Sequence, residues 1–483
     1  MSRAVRLACL VVAQLIAGAL AAAEPVTTIR SNGSPANRID IVILGDGYSA
    51  GDLASGKYAQ DVETAVIGLF SEEPYTEYQR YFNVHRVDLT SPESGADHPS
   101  AGIMRETALD ATFDCGGIQR LVCVNTSKVY DALSTSVPAP EARDVVLVLV
   151  NDAEYGGSGG AIAVASTHPA SVELVLHEVG HSFGLLADEY ESSPPACNNL
   201  LEPPEANVTR QTMRHGIKWR VWIEPSTPLP TPGTAETPGL YQGGKYCVAG
   251  LYRPTYDSKM RSLGRPFGAI NTEAHIKRIY NYVTPLDGAL PHGSALILVQ
   301  GTRQPASVTV PRPFTHTLTM TWSIDGATAG AGAEFMLDTR TLSPGDHTLS
   351  VQVTDATALV RSDPARLLRT TRSWAVTIAP VFSDHPLAPG ATIRAVHITE
   401  LRARIAALRL RCGKEAVTYT DASLVAGVTT MRAVHIAELR TALLEAYDAC
   451  GESRPSFSDA ALAGGVIRAA HISELRSAIL ALE

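Results

Sequence analysis

The residues of this chain best suited to chemistry are His177-Glu178-Val179-Gly180-His181. On a helix, positions four apart lie one turn above each other, so His177 and His181 present two imidazoles to one point, as a tetrahedral zinc ion requires. Two histidines and a third ligand leave one position open for water, whose pKa zinc lowers to roughly 7. Glu178, beside the first histidine, is placed to take the proton of that water as general base. Val172, Leu176, Val179 and Phe183 recur at helical spacing and give the same segment a buried stripe next to the ligand face. The bland alternative, two histidines on an ordinary helix, is weakened by the acidic residues that follow.

The third ligand must come from beyond the helix. Gly184 follows His181 by three residues and lets the backbone turn sharply. The position six residues after His181, where zincins often place a ligand, is Ala187, and the acid comes one later, at Asp188. Asp188 is the first candidate, with Glu189 and the more distant Glu205 as alternatives. Asp188 and Glu189 would otherwise be outer carboxylates that orient a ligand.

With Leu186-Ala187-Asp188-Glu189-Tyr190 in place, the chain resembles the immunoglobulin A metallopeptidase family of bacterial secreted zincins, whose core reads H-E-x-G-H followed by L-x-D-E-Y. Leu44-Gly45-Asp46-Gly47-Tyr48, Val150-Asn151-Asp152, the glycine run from Tyr155 to Gly160, and Tyr252-Arg253-Pro254 leading to Met260-Arg261 resemble it too, so the likeness spans roughly residues 38 to 285. The resemblance implies an α/β zincin fold and one Zn²⁺ on His177, His181 and Asp188, with Glu189 and Tyr190 in support. It is similar also to the metzincins, in which a methionine in a tight turn lies beneath the metal, and Met260 is carried over to that role, with a plain core methionine as the alternative.

A tetrahedral oxyanion needs a donor besides the metal, and Tyr190, Tyr256 and Arg261 are all available for it. The run Val145 to Val150 reads as a buried strand. Gly156, Gly157 and Gly159 after it would let an extended peptide approach the backbone, unless the stretch is only a surface loop. No lysine follows these glycines to make a nucleotide loop.

Arg3 and Arg6, an apolar run from Leu7 to Leu20 and Ala21-Ala22-Ala23 read as a signal peptide over residues 1–23, with the mature chain starting at Glu24. No second long apolar span follows, so no transmembrane anchor is expected. The net charge of −9 gives no support for nucleic-acid binding. Cys9 leaves with the signal, and the remaining cysteines are even in number, as disulfides in an oxidising compartment would be. The expected pairs are Cys115 with Cys123, Cys197 with Cys247, and Cys412 with Cys450. No histidine beside a cysteine suggests a nucleophilic thiol.

The expected architecture is multidomain. An α/β zincin peptidase domain covers 24–287, an all-β immunoglobulin-like sandwich 288–380, and a small α-helical domain of three repeats 381–483. The linker falls at Pro285 to Gly293. Period-two alternation at Leu318, Met320, Trp322 and Ile324, at Leu349, Val351 and Val353, and at Trp374, Val376 and Ile378 marks the sandwich. The repeats begin at Phe382, Tyr419 and Phe457, 37 and 38 residues apart, and are expected to bury one shared core. His397, His435 and His471 recur with Glu400, Glu438 and Glu474 three residues on. One histidine per repeat lacks the compact spacing of a zinc site, so these pairs read as helix-face or inter-repeat contacts.

The function these features support is a secreted zinc endopeptidase acting on protein or peptide, with the repeats attaching it to a cell-surface or protein partner. A catalytically idle zincin-fold adhesin and a zinc hydrolase of non-peptide bonds are the competing readings. An intact Glu178 disfavours the first.

Overall fold

The computed structural model describes residues 24–483 apart from 138, 140, 141, 193–196, 198–200, 426, 460, 461 and 463–465. The signal segment therefore lies outside the described residues. Two compact units are present. The first holds the chain up to Asp287 together with Val310–Leu318 and Thr354–Thr370, and the second holds the remainder.

The first unit is built on strands β1 (Val26–Arg30), β2 (Ile39–Asp46), β3 (Phe82–Val87), β4 (Val145–Val150), β5 (Gly157–Ser158) and β6 (Ala163–Ser166). They form one sheet in the order β1-β3-β2-β4-β6-β5, with β3, β2, β4 and β6 parallel and the two edge strands antiparallel. A parallel sheet covered on both faces needs strands apolar throughout. Accordingly, every residue of β2 and β4 is buried. Ile41, Ile43, Leu147 and Leu149 face one core, and Val42, Leu44, Val146 and Val148 face the other.

The helices of this unit are α1 (Ala50–Ala54), α2 (Lys57–Leu69), α3 (Tyr75–Tyr78), α4 (Thr126–Ser136), α5 (Ser171–Ser182) and α6 (Ala269–Tyr282). α2, α5 and α6 pack on the first core through Val62, Val66, Leu176, Val179, Ile276 and Ile279. α4 covers the second through Val129 and Leu133. The carboxylate of Asp46, at the end of β2, is paired within the core. Asp46 accepts from the backbone of Leu109 and Ala111 and from Thr107 Oγ1, which ties the long 91–111 segment to the sheet.

The segments Val310–Leu318 and Thr354–Thr370 join the first unit through a buried polar network, although position in the sequence would group them with the strands around them. His316 places Nδ1 2.8 Å from Glu77 Oε1 and Nε2 2.8 Å from Asp355 Oδ1. Asp355 Oδ2 also accepts from the hydroxyls of Tyr78 and Tyr280, at 2.7 Å each.

In the second unit, β9 (Gly288–Leu290), β11 (Arg303–Thr309) and β14 (Glu334–Asp338) form one sheet. The other contains β10 (Ala295–Val299), β12 (Thr319–Ile324), β13 (Ala327–Ala331), β15 (Gly345–Thr354) and β16 (Arg369–Ala379), in the order β10-β16-β15-β12-β13. Trp322 stacks on Phe335 of the facing sheet at 5.2 Å and on Trp374 at 5.8 Å.

Helices α7 (Ala395–Arg411), α8 (Ala433–Cys450) and α9 (Ala469–Leu482) bury one common core. Each carries a buried arginine that donates to carbonyls in the turn of another repeat. Arg402 reaches Thr420 and Asp421, Arg440 reaches Ser458 and Asp459, and Arg476 returns to Ser383 and Asp384. The three repeats therefore close on themselves instead of stacking as an open array. The repeat histidines do not bond to the glutamates three residues on. His397, His435 and His471 take the backbone N–H of the residue three earlier on Nδ1 and meet Asp384, Asp421 and Asp459 through Nε2. Glu400, Glu438 and Glu474 instead accept from Ser383, Thr420 and Ser458. The disulfides Cys115–Cys123, Cys197–Cys247 and Cys412–Cys450 are present.

Asp355→Ala would remove the acceptor shared by the Tyr78 and Tyr280 hydroxyls and one partner of His316, with Tyr280 keeping its contact to the Tyr81 hydroxyl. It is expected to cost about 3 kcal/mol, since unmatched buried polar groups cost ~1–3 kcal/mol each. The urea midpoint of the variant against wild type measures this.

Candidate metal centre and its cleft

α5 follows β6 and is anchored by its apolar side, where Leu176, Val179 and Phe183 are buried. Its other side carries His177, Glu178 and His181. The helix ends at Ser182, and the chain then folds back, with Gly184 N–H donating to Val179 O and Leu186 N–H to Gly180 O. The left-handed residue of this turn is Leu185, with φ 54°, and not Gly184. Glycine is required at 184 for a different reason. A Cβ there would lie 2.2 Å from His275 Nε2 and 2.7 Å from the Gly180 carbonyl oxygen.

The fold-back delivers Asp188 to the two histidines. Asp188 Oδ1 lies 3.2 Å from each Nε2, and the two Nε2 atoms are 3.1 Å apart. His177 Nδ1 is 2.9 Å from Lys259 O, and His181 Nδ1 is 2.8 Å from Leu186 O. A carbonyl only accepts, so both Nδ1 atoms carry the proton and both Nε2 lone pairs face the common point. Asp188 Oδ1 is buried there without a hydrogen-bond partner. Three acceptor atoms turned on one another are unfavourable unless a cation sits between them. Tetrahedral zinc, with bonds of about 2.0–2.1 Å, spaces its ligands about 3.3 Å apart, so the three residues fit such an ion.

Without the ion, the cluster favours a proton. Burial disfavours the His181 imidazolium, but Asp188 beside it outweighs this and raises the pKa to about 9. Asp188 is held well below the usual carboxylate range despite its burial, by both histidines and by Tyr246.

Met260 is buried and packs on Gly180, between the two histidines in the sequence. Lys259 O holds His177, and Met260 O accepts from Glu189 N–H at 2.7 Å. A Cβ on Gly180 would come within 2.5 Å of Met260 Sδ, which accounts for glycine between Val179 and His181. Lys259 is itself buried, and its ammonium is held by Glu173 in the first turn of α5. The remaining acidic candidates lie elsewhere. Glu189 is fully buried and accepts from Asn207, Ser258 and Asn271, which joins the ligand turn to the methionine turn and α6. Glu205 pairs with Lys245.

Sequence reasoning missed Tyr246. It lies at the tip of a hairpin between β7 (Tyr241–Gly244) and β8 (Cys247–Arg253), where Lys245 and Tyr246 have φ 49° and 67°. Two successive left-handed residues are what a tight two-residue turn requires, but Lys-Tyr is not the usual Asn-Gly or Asp-Gly that would have signalled it. The Tyr246 hydroxyl donates to Asp188 Oδ2, and its ring meets Tyr190 edge-on at 5.3 Å. The tip also pairs with the ligand strand, Lys245 N–H donating to Asp188 O and Tyr246 N–H to Tyr190 O.

A cleft of about 830 Å³ opens over the cluster, lined among others by Arg120, Tyr155, Tyr190, Tyr246 and Arg261. Gly157 and Gly159 lie directly against Glu178, and a Cβ on Gly159 would come within 2.7 Å of its carboxylate. Gly156 packs instead on Phe113 and Val122. The backbone of Gly157 is already bonded, N–H to Arg120 O and C=O to Val122 N–H, so an extended substrate cannot use it. Glu178 is buried, which raises its pKa against the opposing pull of His177 and His181. Tyr256 packs on Arg253 and Arg261 and is not among the residues lining the cleft.

Residues 27–237 match the family model described as IgA Peptidase M64. No curated protein matches the chain. Among solved structures, a quinonprotein alcohol dehydrogenase-like protein from Bacteroides thetaiotaomicron is 12% identical over 18% of this chain and 17% of its own, with a TM-score of 0.14. The fibronectin(III)-like modules of Clostridium thermocellum CbhA are 13% identical over 19% of this chain and 94% of their own, with a TM-score of 0.15. At such scores neither likeness bears on fold or function.

Two outcomes follow from the packing around the turn. Gly184→Ala is expected to lower stability by about 2–4 kcal/mol, as overpacking at a rigid site does, and to weaken zinc binding, measured by denaturant midpoint and by metal titration. His275 is buried with neither ring nitrogen partnered, and burial lowers its pKa to about 3 from 6.5. The unfolded chain therefore binds the extra proton first. Stability from this group is complete above about pH 6.5 and is lost as pH falls toward 3. His275→Leu should lose less stability between pH 8 and pH 5 than wild type when unfolding midpoints are compared.

Proposed function

Through residues 27–237 the chain belongs to the IgA Peptidase M64 family, and from that premise we propose that it is a secreted zinc-dependent endopeptidase with Glu178 as general base. The observation that carries this reading is the convergence of His177 Nε2, His181 Nε2 and Asp188 Oδ1 on one point beside Glu178, at the floor of an open cleft. Among the described residues, this is the one cluster of three or more histidine, cysteine or acidic side chains close enough to share an ion.

Zinc, when bound by His177, His181 and Asp188, supplies Lewis acidity to the substrate carbonyl and to water. Glu178 takes the proton of the attacking water on its carboxylate and passes it to the departing amine. Its burial favours the protonated form it must adopt in between. Gly159 leaves room for the carboxylate to act. Tyr190 and Arg261 line the same cleft and are the side chains proposed to donate to the oxyanion.

The disulfides and the absence, among the described residues, of a helix long and apolar enough to cross a membrane fit export. The C-terminal helical repeats are assigned attachment or partner binding.

Cleavage of a denatured protein digest by the zinc-loaded chain and by Glu178→Gln, read by mass spectrometry of new termini, tests the proposal. The variant should bind one zinc and lose at least ~10³-fold in rate, in the range seen for general bases. Asp188→Asn should weaken zinc binding itself. Equal termini from both proteins would contradict the assignment.

A further inference from the structure

Ile118, Arg120 and Leu121 form part of the cleft wall and belong to the short loop closed by the Cys115–Cys123 disulfide. The loop is fixed from both sides. Arg120 O accepts from Gly157 N–H at 3.1 Å, Val122 N–H donates to Gly157 O at 3.3 Å, and Cys123 exchanges two backbone bonds of 2.9 Å with Thr112. The main chain at Arg120 is thus held rigidly while its side chain is exposed and turned to the cleft. Tyr155, Tyr190 and Glu178 line the same cleft, and the positive charge of Arg120 acts on all three.

The charges of the cleft are otherwise matched. Arg261 is held 3.2 Å from Glu191, which also binds Arg253 at 2.8 Å. Asp188 faces the two histidines. Among the described residues, no carboxylate lies within ion-pair distance of Arg120. A guanidinium whose main chain is fixed, with tyrosines in the same cleft and no ion-pair partner of its own, is suited to an external carboxylate, which it can grip with two parallel bonds.

We propose that Arg120 determines specificity by binding a carboxylate of the substrate beside the scissile bond, carried by an aspartate or glutamate side chain or by the peptide's own C-terminus. Tyr155 lines the same part of the cleft and frames that carboxylate. This assignment rests on the peptidase reading above.

The test uses the full zinc-loaded chain with Arg120→Gln and Arg120→Glu, and peptides that differ only by Glu, Gln or Lys next to the cleaved bond, each with a free or an amidated C-terminus. Wild type should prefer the carboxylate by about tenfold or more in kcat/KM, chiefly through KM. The preference should vanish in Arg120→Gln and turn toward Lys in Arg120→Glu. The amidated arm separates a side-chain carboxylate from a terminal one. The same fluorescent peptides are also titrated onto Glu178→Gln with and without Arg120→Glu, which reads Kd without turnover. If no peptide is cut, the peptidase reading fails while this titration still decides Arg120. Equal affinity for Glu and Gln peptides, a ratio unmoved by Arg120→Glu, or a uniform fall in kcat for every peptide would overturn the proposal.

Discussion

Three lone-pair-bearing atoms, His177 Nε2, His181 Nε2 and Asp188 Oδ1, are held within 3.1–3.2 Å of one another in a half-buried site. Like partial charges do not gather there without a reason, and holding them requires each ligand to be fixed from behind. The second bonds do this. His177 is held by the Lys259 carbonyl, His181 by the Leu186 carbonyl and Asp188 by the Tyr246 hydroxyl. Each bond comes from a different part of the chain, so the centre depends on three separate segments being in register.

That dependence accounts for much of the surrounding structure. The methionine turn is held to α5 by Lys259 with Glu173, and to the ligand strand by Met260 O with Glu189. Glu189 fastens the same strand to Asn207, Ser258 and Asn271. The disulfide Cys197–Cys247 staples the hairpin that carries Tyr246. Gly180 and Gly184 are required by close approach, to Met260 and to His275, and neither is there for unusual backbone angles.

The sequence made the local and periodic parts of this legible. The spacing of His177 and His181, the apolar run of β4 and the helical periodicity of α5 are encoded within a few residues of each position. The cysteine pairs could be read because few pairings are sensible in so sparse a set. What could not be read depends on contacts between distant segments. Tyr246 reaches Asp188 across 58 residues through a turn with no usual turn residues. Leu185 takes the left-handed position that Gly184 was expected to fill, while Gly184 is needed for its close approach to His275. The use of Gly157 by the 120–122 segment removes it as a substrate edge, and no local pattern predicts that pairing. In the helical repeats, each histidine turns to the aspartate of its own turn instead of the nearby glutamate, which a pattern of spacing alone does not distinguish.

The centre itself can be examined directly by diffraction at the zinc absorption edge on crystals of the metal-loaded protein. A single strong anomalous peak bonded to His177 Nε2, His181 Nε2 and an Asp188 carboxylate oxygen, with Tyr246 still on the other oxygen, is the result the structure predicts. A metal bound elsewhere, or Asp188 turned away with Glu189 or Glu205 in its place, would contradict it.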